Sequence, residues 1–282
     1  MLNRRAQGFT LVEMVMTIVL LAILAGVLAP VIASAFRAYG DTKARADLIA
    51  RGRSALERLG RELRHAVPNS VELVTDAGGR AGIQFVVTTA GGRYVDQFDD
   101  FTGGEFTNVN RRLAPGAPRS ELYVLGSGLG YGAGDVLVIG NTSPGDLRNG
   151  RSAVALTGTA ATSVAADGVD GHTVLQFNSF TFQNGSPGRH YTIAPQTVEV
   201  GLAADDSLRW HVSNGIGQYD GDGDWSLADP MLVSGVANPG GVTFTYHAGT
   251  PAGSGVLQVA LTLVEGGEQI QLYQEFHVRN TP

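Results

Sequence analysis

Residues 9–29, FTLVEMVMTIVLLAILAGVLA, form an apolar stretch that contains one charged side chain, the carboxylate of Glu13. As an α-helix this stretch would extend roughly 30 Å, which is the thickness of the hydrocarbon core of a membrane. A carboxylate inside a membrane costs about 2.5–3.5 kcal/mol on insertion scales, so we expect Glu13 to have a positively charged partner. The stretch therefore predicts a membrane-spanning helix whose start lacks a counter-charge.

The residues on either side of this stretch predict its orientation. Arg4 and Arg5 precede it, and positive charges favour the cytoplasmic side, so the rest of the chain is expected on the opposite side. The alternative is a secretory signal peptide cleaved after Ala35. The apolar run reaches Phe36, however, which is longer than the 7–15 residues typical of such a peptide, and this favours a spanning helix.

The helix is expected to continue beyond the membrane. Pro30 predicts a kink, because proline removes one backbone donor, but no further proline occurs before Pro68. Apolar or small residues recur every three or four positions and predict a single stripe that needs a partner surface: Leu48, Gly52, Leu56, Leu59, Leu63 and Ala66. We therefore predict one helix over residues 9–66, of which 9–29 span the membrane.

Residues 67–282 predict a β-rich body. With 39 glycines and 11 prolines in the chain, short strands joined by turns are expected. Alternating apolar residues predict three strands near the C-terminus, with Glu265-Gly266-Gly267-Glu268 as a hairpin turn. Segments 96–116 and 142–171 lack such alternation and predict long surface loops. The fold class is thus α+β: a long N-terminal helix packed against an antiparallel sheet.

Composition excludes several kinds of function. The chain has no cysteine, so it has no disulfide, thiol nucleophile or cysteine-ligated metal. Residues 1–66 carry a charge of +5 and the remainder −11, and an acidic body disfavours nucleic-acid binding. The glycines of segment 128–133 fit a dinucleotide motif only if a helix follows, whereas a strand is predicted there. No histidine spacing or nucleophile motif predicts an enzyme.

One acidic loop is a candidate metal site. Asp220, Asp222 and Asp224 alternate with glycine, as carboxylates do at the first positions of a calcium loop. Trp225 stands where that loop needs glycine, and Met231 where it needs a bidentate glutamate. The pattern gives two alternatives, a calcium ion on the three aspartates or a solvated acidic turn. No other cofactor is predicted.

The N-terminus also resembles a known family. Gly8-Phe9-Thr10-Leu11-Val12-Glu13, after a basic leader and before an apolar segment, is similar to the class III signal of type IV pilins and type II secretion pseudopilins. The resemblance implies that residues 1–8 are a leader, that prepilin peptidase cleaves after Gly8 and that the Phe9 amine is methylated. It also implies that the helix serves as membrane anchor and filament core, with a kink at Pro30.

Such cleavage would supply the missing partner of Glu13. The new α-amine of Phe9 has an ordinary pKa near 8 and would be positively charged. If neighbouring subunits are staggered, the Glu13 carboxylate of one would neutralise the Phe9 amine of the next and fix their register. The alternative is a glutamate that reaches back to the membrane surface from the end of the helix.

Further stretches resemble one branch of this family. LERLGRELRHAVPNSV at residues 56–71, YDGDGDWSLADPMLVSGVANPGGVTFTY at 219–246 and EFHVRNTP at 275–282 are similar to minor pilins of the MSHA type and to J-type minor pseudopilins. The resemblance implies a structural subunit for the initiation, assembly or tip of a pilus. Its implied partners are prepilin peptidase, an inner-membrane assembly platform, and other minor and major pilins.

The resemblance implies a bacterial inner-membrane protein with a cytoplasmic N-terminus and a periplasmic body, which later enters the pilus. Two alternatives remain. A type II secretion pseudopilin would share the N-terminal helix, and a tip adhesin would use the long loops and the acidic cluster to bind a surface.

Overall fold

The computed structural model describes residues 10–94, 113–125, 130–158, 161–163, 172–250 and 253–281. It shows the predicted α+β arrangement, with a long helix packed against antiparallel sheets. In chain order the elements are α1 (Leu11–Leu63), β1 (Glu72–Thr75), β2 (Ala81–Val87), β3 (Ala90–Arg93), β4 (Arg119–Leu125), β5 (Val136–Val138), α2 (Pro144–Arg148), β6 (Ala153–Ala155), β7 (Ala161–Ser163), β8 (His172–Phe180), β9 (His190–Ala194), β10 (Gln196–Leu202), β11 (Leu208–Asn214), β12 (Met231–Val233), β13 (Val242–His247), β14 (Ser254–Glu265) and β15 (Glu268–Arg279).

Helix α1 has 53 residues and begins with a side-chain cap. The hydroxyl oxygen of Thr10 accepts a hydrogen bond from the backbone N–H of Glu13 at 3.3 Å, which satisfies one of the free donors at the helix start. The helix is continuous through Pro30, and the kink predicted there stays a prediction. It ends at Leu63, three residues before the predicted end, and a turn leads on to Pro68.

The predicted apolar stripe of α1 lies in the largest core of the protein. Ala55 and Gly60 extend this stripe, and the buried residues of α1 are Leu48, Gly52, Ala55, Leu56, Leu59, Gly60 and Leu63. Two glycines of the stripe allow close approach to the C-terminal strand, since a Cβ at Gly52 would overlap Leu272 and one at Gly60 would lie 2.6 Å from the ring of Phe276. The stripe thus has the partner surface that the sequence predicted.

The C-terminal strands form the predicted antiparallel meander, in the order β13-β14-β15. Glu265 pairs directly with Glu268, so the turn between β14 and β15 consists of Gly266 and Gly267. Both turn residues have positive φ, 60° and 89°, as a two-residue hairpin of this type requires. The predicted hairpin is therefore confirmed.

A second sheet closes the other side of this core. Its strand order is β1-β2-β10-β11-β12, and Ile83 and Phe85 of β2 are fully buried in the same cluster as the α1 stripe. Trp210 of β11 contacts the ring edge of Phe85 and carries the guanidinium of Arg58 at 4.7 Å from its ring centroid. The helix is therefore held between this sheet and the meander.

The rest of the described body includes a second core, of which the sequence predicted the strand that follows residue 133. Sheets β3-β9-β5-β6 and β4-β8-β7 enclose a cluster that includes Leu122, Leu137, Phe177 and Ile193. The prediction of a loop over residues 142–171 was wrong in part, because α2, β6 and β7 lie within it. These elements have three to five residues each, too few to show a period. Residues 96–112, most of the other predicted loop, lie outside the described residues.

The close packing at Gly60 leads to a testable prediction. We expect Gly60→Ala to lower the free energy of unfolding of the body by about 1 kcal/mol, because overpacking against Phe276 outweighs the gain of roughly 0.5–1 kcal/mol in helix propensity. Chemical denaturation of the full chain in non-ionic detergent, followed by the fluorescence of its two buried tryptophans, measures this. Gly40→Ala is the control, because no atom lies within 4 Å of a Cβ there. Equal or greater stability of Gly60→Ala would contradict the packing argument.

Candidate functional site: the exposed helix and the acidic loop

The N-terminal part of α1 is apolar on every side and contacts nothing else in the described structure. It includes a window long and apolar enough to cross a membrane, and none of that window is buried. The exposed fractions of its side chains are high, for example 81% for Leu11 and 63% for Leu20. So much exposed apolar surface requires a membrane or neighbouring helices to cover it. The C-terminal part of the same helix is covered by the body.

Glu13 lies within the first turn of this exposed segment. Among the residues that the structure describes, no basic group lies within ion-pair distance of its carboxylate. The helix start stabilises a nearby negative charge, although only within the first turn. Gly8 and Phe9 lie outside the described residues, so the predicted cleavage site and the predicted charge pair stay predictions.

The acidic loop is shaped by its contacts with the second sheet. The N–H of Asp222 donates to the carboxylate of Asp220 at 3.0 Å, and the N–H of Gly221 donates to the side-chain oxygen of Gln84 at 3.2 Å. Trp225 is buried and its indole N–H donates to the carbonyl oxygen of Leu202 at 2.9 Å. The tryptophan that departs from the calcium-loop pattern is thus the anchor of this loop.

The aspartate side chains of the loop face outward. Asp220, Asp222 and Asp224 are all exposed, and within the described ranges no group of three or more histidine, aspartate or glutamate side chains is placed to hold a metal ion. The calcium site stays a prediction.

A buried glutamate that the sequence analysis missed fixes the end of the loop. Glu199 of β10 is fully buried; its carboxylate accepts hydrogen bonds from the side-chain amide of Gln84 at 2.6 Å and from the N–H of Asp224 at 2.7 Å. Burial raises the pKa of Glu199, and these two hydrogen bonds oppose that rise. In the sequence, Glu199 lies between two valines, a pattern typical of a strand residue whose side chain faces solvent. In the structure the acidic loop covers the side chain of Glu199. A pattern of neighbouring residues in the sequence could not indicate this contact between distant residues.

One known protein family matches the N-terminal part of the chain. Residues 3–29 match the model of a family described as the prokaryotic N-terminal methylation motif. The match indicates a type IV pilin or pseudopilin precursor. No curated protein and no solved structure matches the chain.

The match accounts for the exposed part of α1 in this pilin-like chain. A pilin-type signal implies processing by prepilin peptidase and assembly with other pilins in membrane machinery. An inner-membrane anchor fits α1, which among the described residues is the one helix long and apolar enough to cross a membrane. The match points to a family of structural subunits.

A histidine–aspartate pair also lies on the second sheet of the body. Nδ1 of His211 and a carboxylate oxygen of Asp229 are 2.9 Å apart. Burial lowers the pKa of His211, but the hydrogen bond and charge of Asp229, with the charge of Glu199, outweigh this and raise it above 6.5. Burial likewise raises the pKa of Asp229, but the bond to His211 and bonds from Ser226 outweigh this and lower it below 3.8.

The pair predicts a pH dependence of stability. Because the folded pKa of His211 is raised, its stabilising contribution is complete below its unfolded value of about 6.5 and is lost as pH rises through the folded value. The contribution of Asp229 is lost only in more acidic solution, as pH falls below its unfolded value of about 3.9. We expect Asp229→Asn to lower the pKa of His211 and to reduce the loss of stability between about pH 6 and 8.

Proton NMR titration of the histidine rings and denaturation at several pH values measure both effects. Asp222→Asn is the control, because that exposed carboxylate has no ion-pair contact with His211. If Asp229→Asn left the His211 titration unchanged, the pair would not be the cause of the raised pKa.

Proposed function

We propose that this chain is a minor pilin, a structural subunit that takes part in initiating, assembling or capping an MSHA-type IV pilus. The observation that carries the proposal is the division of α1 into an uncovered apolar half and a half buried under the β-rich body. The methylation motif at residues 3–29 supports a pilin-type precursor. The resemblance of residues 56–71, 219–246 and 275–282 to the MSHA minor pilin MshO supports the branch.

The proposal gives the leader a defined fate. Prepilin peptidase would cut between Gly8 and Phe9, remove the basic leader and leave an α-amine at the start of the apolar helix. A lone ammonium group in an apolar environment is costly, as a lone carboxylate is. Methylation of this amine keeps the positive charge.

The proposed role of Glu13 follows from that charge. Across a staggered interface, the carboxylate of Glu13 in one subunit lies beside the amine of Phe9 in the next, so that two unfavourable charges cancel. A shift by one helical turn, about 5.4 Å, would separate them. The pair therefore sets the register of neighbouring helices and also neutralises the two charges.

A minor pseudopilin of a type II secretion system is the second candidate. The observation that favours it is the position of the family match, which covers only residues 3–29, the part that both classes share. Co-purification distinguishes the two, because a pilus subunit is recovered in sheared pili with other pilins and a pseudopilin with secretion components.

The N-terminus provides the direct test of the pilin route. We expect mass spectrometry of the mature protein from its native membranes to find a chain that begins at Phe9 with one methyl group on its amine. A chain that begins at Phe36 would instead indicate an ordinary secretory signal peptide, and the proposed function would be wrong.

Replacement of the charged residue tests the register argument. We expect Glu13→Ala to leave membrane insertion unchanged or improved, because a cost of about 2.5–3.5 kcal/mol is removed, and to reduce incorporation into pili. Immunoblots of membrane and sheared-pilus fractions measure both quantities. Met14→Ala is the control, since it truncates a neighbouring exposed side chain and keeps the carboxylate. Normal incorporation of Glu13→Ala would exclude the charge pair.

A further inference from the structure

A cleft of about 450 Å³ lies where the end of α1, the paired strands β3 and β9, and the end of β15 meet. Its volume is within the range of roughly 300–1,000 Å³ typical of small-molecule sites. Four basic side chains from separate parts of the chain line it: Arg64, Arg93, His190 and Arg279. None of the described residues that line it is acidic.

These basic residues are brought to the cleft by different elements of the fold. Arg93 and His190 are directly opposite each other on β3 and β9, so their side chains lie on the same face of the sheet. Arg64 follows the last residue of α1, where the helix end favours a cation. This local reason does not apply to Arg93 or Arg279.

The surrounding charges make the cleft distinctive. Residues 67–282 carry a charge of −11, and Arg80, Arg148 and Arg209 of this body each form an ion pair with a carboxylate. In the described part of the chain, the cleft arginines have no such ion pair. Arginine side chains without an ion-pair partner among the described residues therefore lie together at one concave site of an acidic body.

We propose that this cleft binds a sulfate group. Guanidinium groups bind such oxyanions through paired N–H donors, and the three arginines can donate to a group that has three or more acceptor oxygens. Thr192, which also lines the cleft, adds a hydroxyl donor. The volume leaves room for the rest of a small molecule, so the group is either a free ion or a substituent of a sugar. The inference rests on the body alone and is independent of the proposed pilus function.

Calorimetric titration of the full chain in non-ionic detergent at low ionic strength tests the site. The probes are sodium sulfate and glucose 6-sulfate, with glucose and with sodium chloride at matched ionic strength as controls. We expect saturable binding of both sulfates and of neither control. Tighter binding of glucose 6-sulfate identifies a sugar-borne group as the better ligand, and equal binding identifies the ion itself.

Two substitutions assign the binding to the cleft. We expect Arg93→Gln and Arg279→Gln each to weaken sulfate binding about tenfold or more, because each removes hydrogen bonds to a charged group. Arg151→Gln is the control, since it changes the net charge equally at an exposed position that does not line the cleft. Thermal unfolding of every variant confirms that it is folded, and the two substitutions on different strands test the site independently.

The inference is overturned if no sulfate binds, or if Arg151→Gln weakens binding as much as the two cleft variants do. The N-terminal analysis separates this outcome from the proposed function. A methylated Phe9 without sulfate binding leaves the pilin proposal intact, whereas sulfate binding by a chain with another N-terminus leaves the cleft intact.

Discussion

The structure depends on one helix that must satisfy two environments. From Leu11 to the end of the membrane-length segment, α1 is apolar on all sides, and its side chains need lipid or other helices around them. Its backbone N–H and C=O groups form their hydrogen bonds within the helix, as a membrane requires. From Leu48 to Leu63 only one stripe is apolar, and the body covers it. The body is therefore attached to the membrane-facing half by a continuous rod, and not by a flexible linker.

Much of this architecture could be predicted from the sequence because it is periodic. The helix stripe repeats every three to four residues, the meander alternates every two, and Gly266-Gly267 supplies a turn that needs positive φ at both positions. The second core as a whole could not be predicted, since short elements such as β6 and β7 are defined by distant partners. Within the candidate site, the sequence identified Glu13 and the acidic loop but missed Glu199. The sequence pattern around Glu199 is typical of an exposed strand residue, and its side chain is buried because the acidic loop covers it.

The covered Glu199 also changes how the acidic loop is understood. Hydrogen bonds from Gln84 and from the N–H of Asp224, together with the buried ring of Trp225, hold the backbone of the loop in place. A carboxylate without these donors would be very costly to bury. The loop and the sheet thus stabilise each other, and the three aspartate side chains are left facing solvent as a consequence of this packing.

The two ends of the helix are electrically independent. About 50 Å of helix separates Glu13 from Leu48, the first residue of α1 that is buried, while charges in physiological salt are screened over about 8–10 Å. Neither the acidic loop nor the basic cleft can therefore neutralise Glu13 within the same chain. The nearest basic side chain in the described part of the chain, Arg37, lies about 36 Å away along the helix. The neutralising group must therefore come from the N-terminal residues of the same chain, a neighbouring subunit or the membrane surface. The charge of the body is consequently free to serve other contacts without disturbing the register that Glu13 would set.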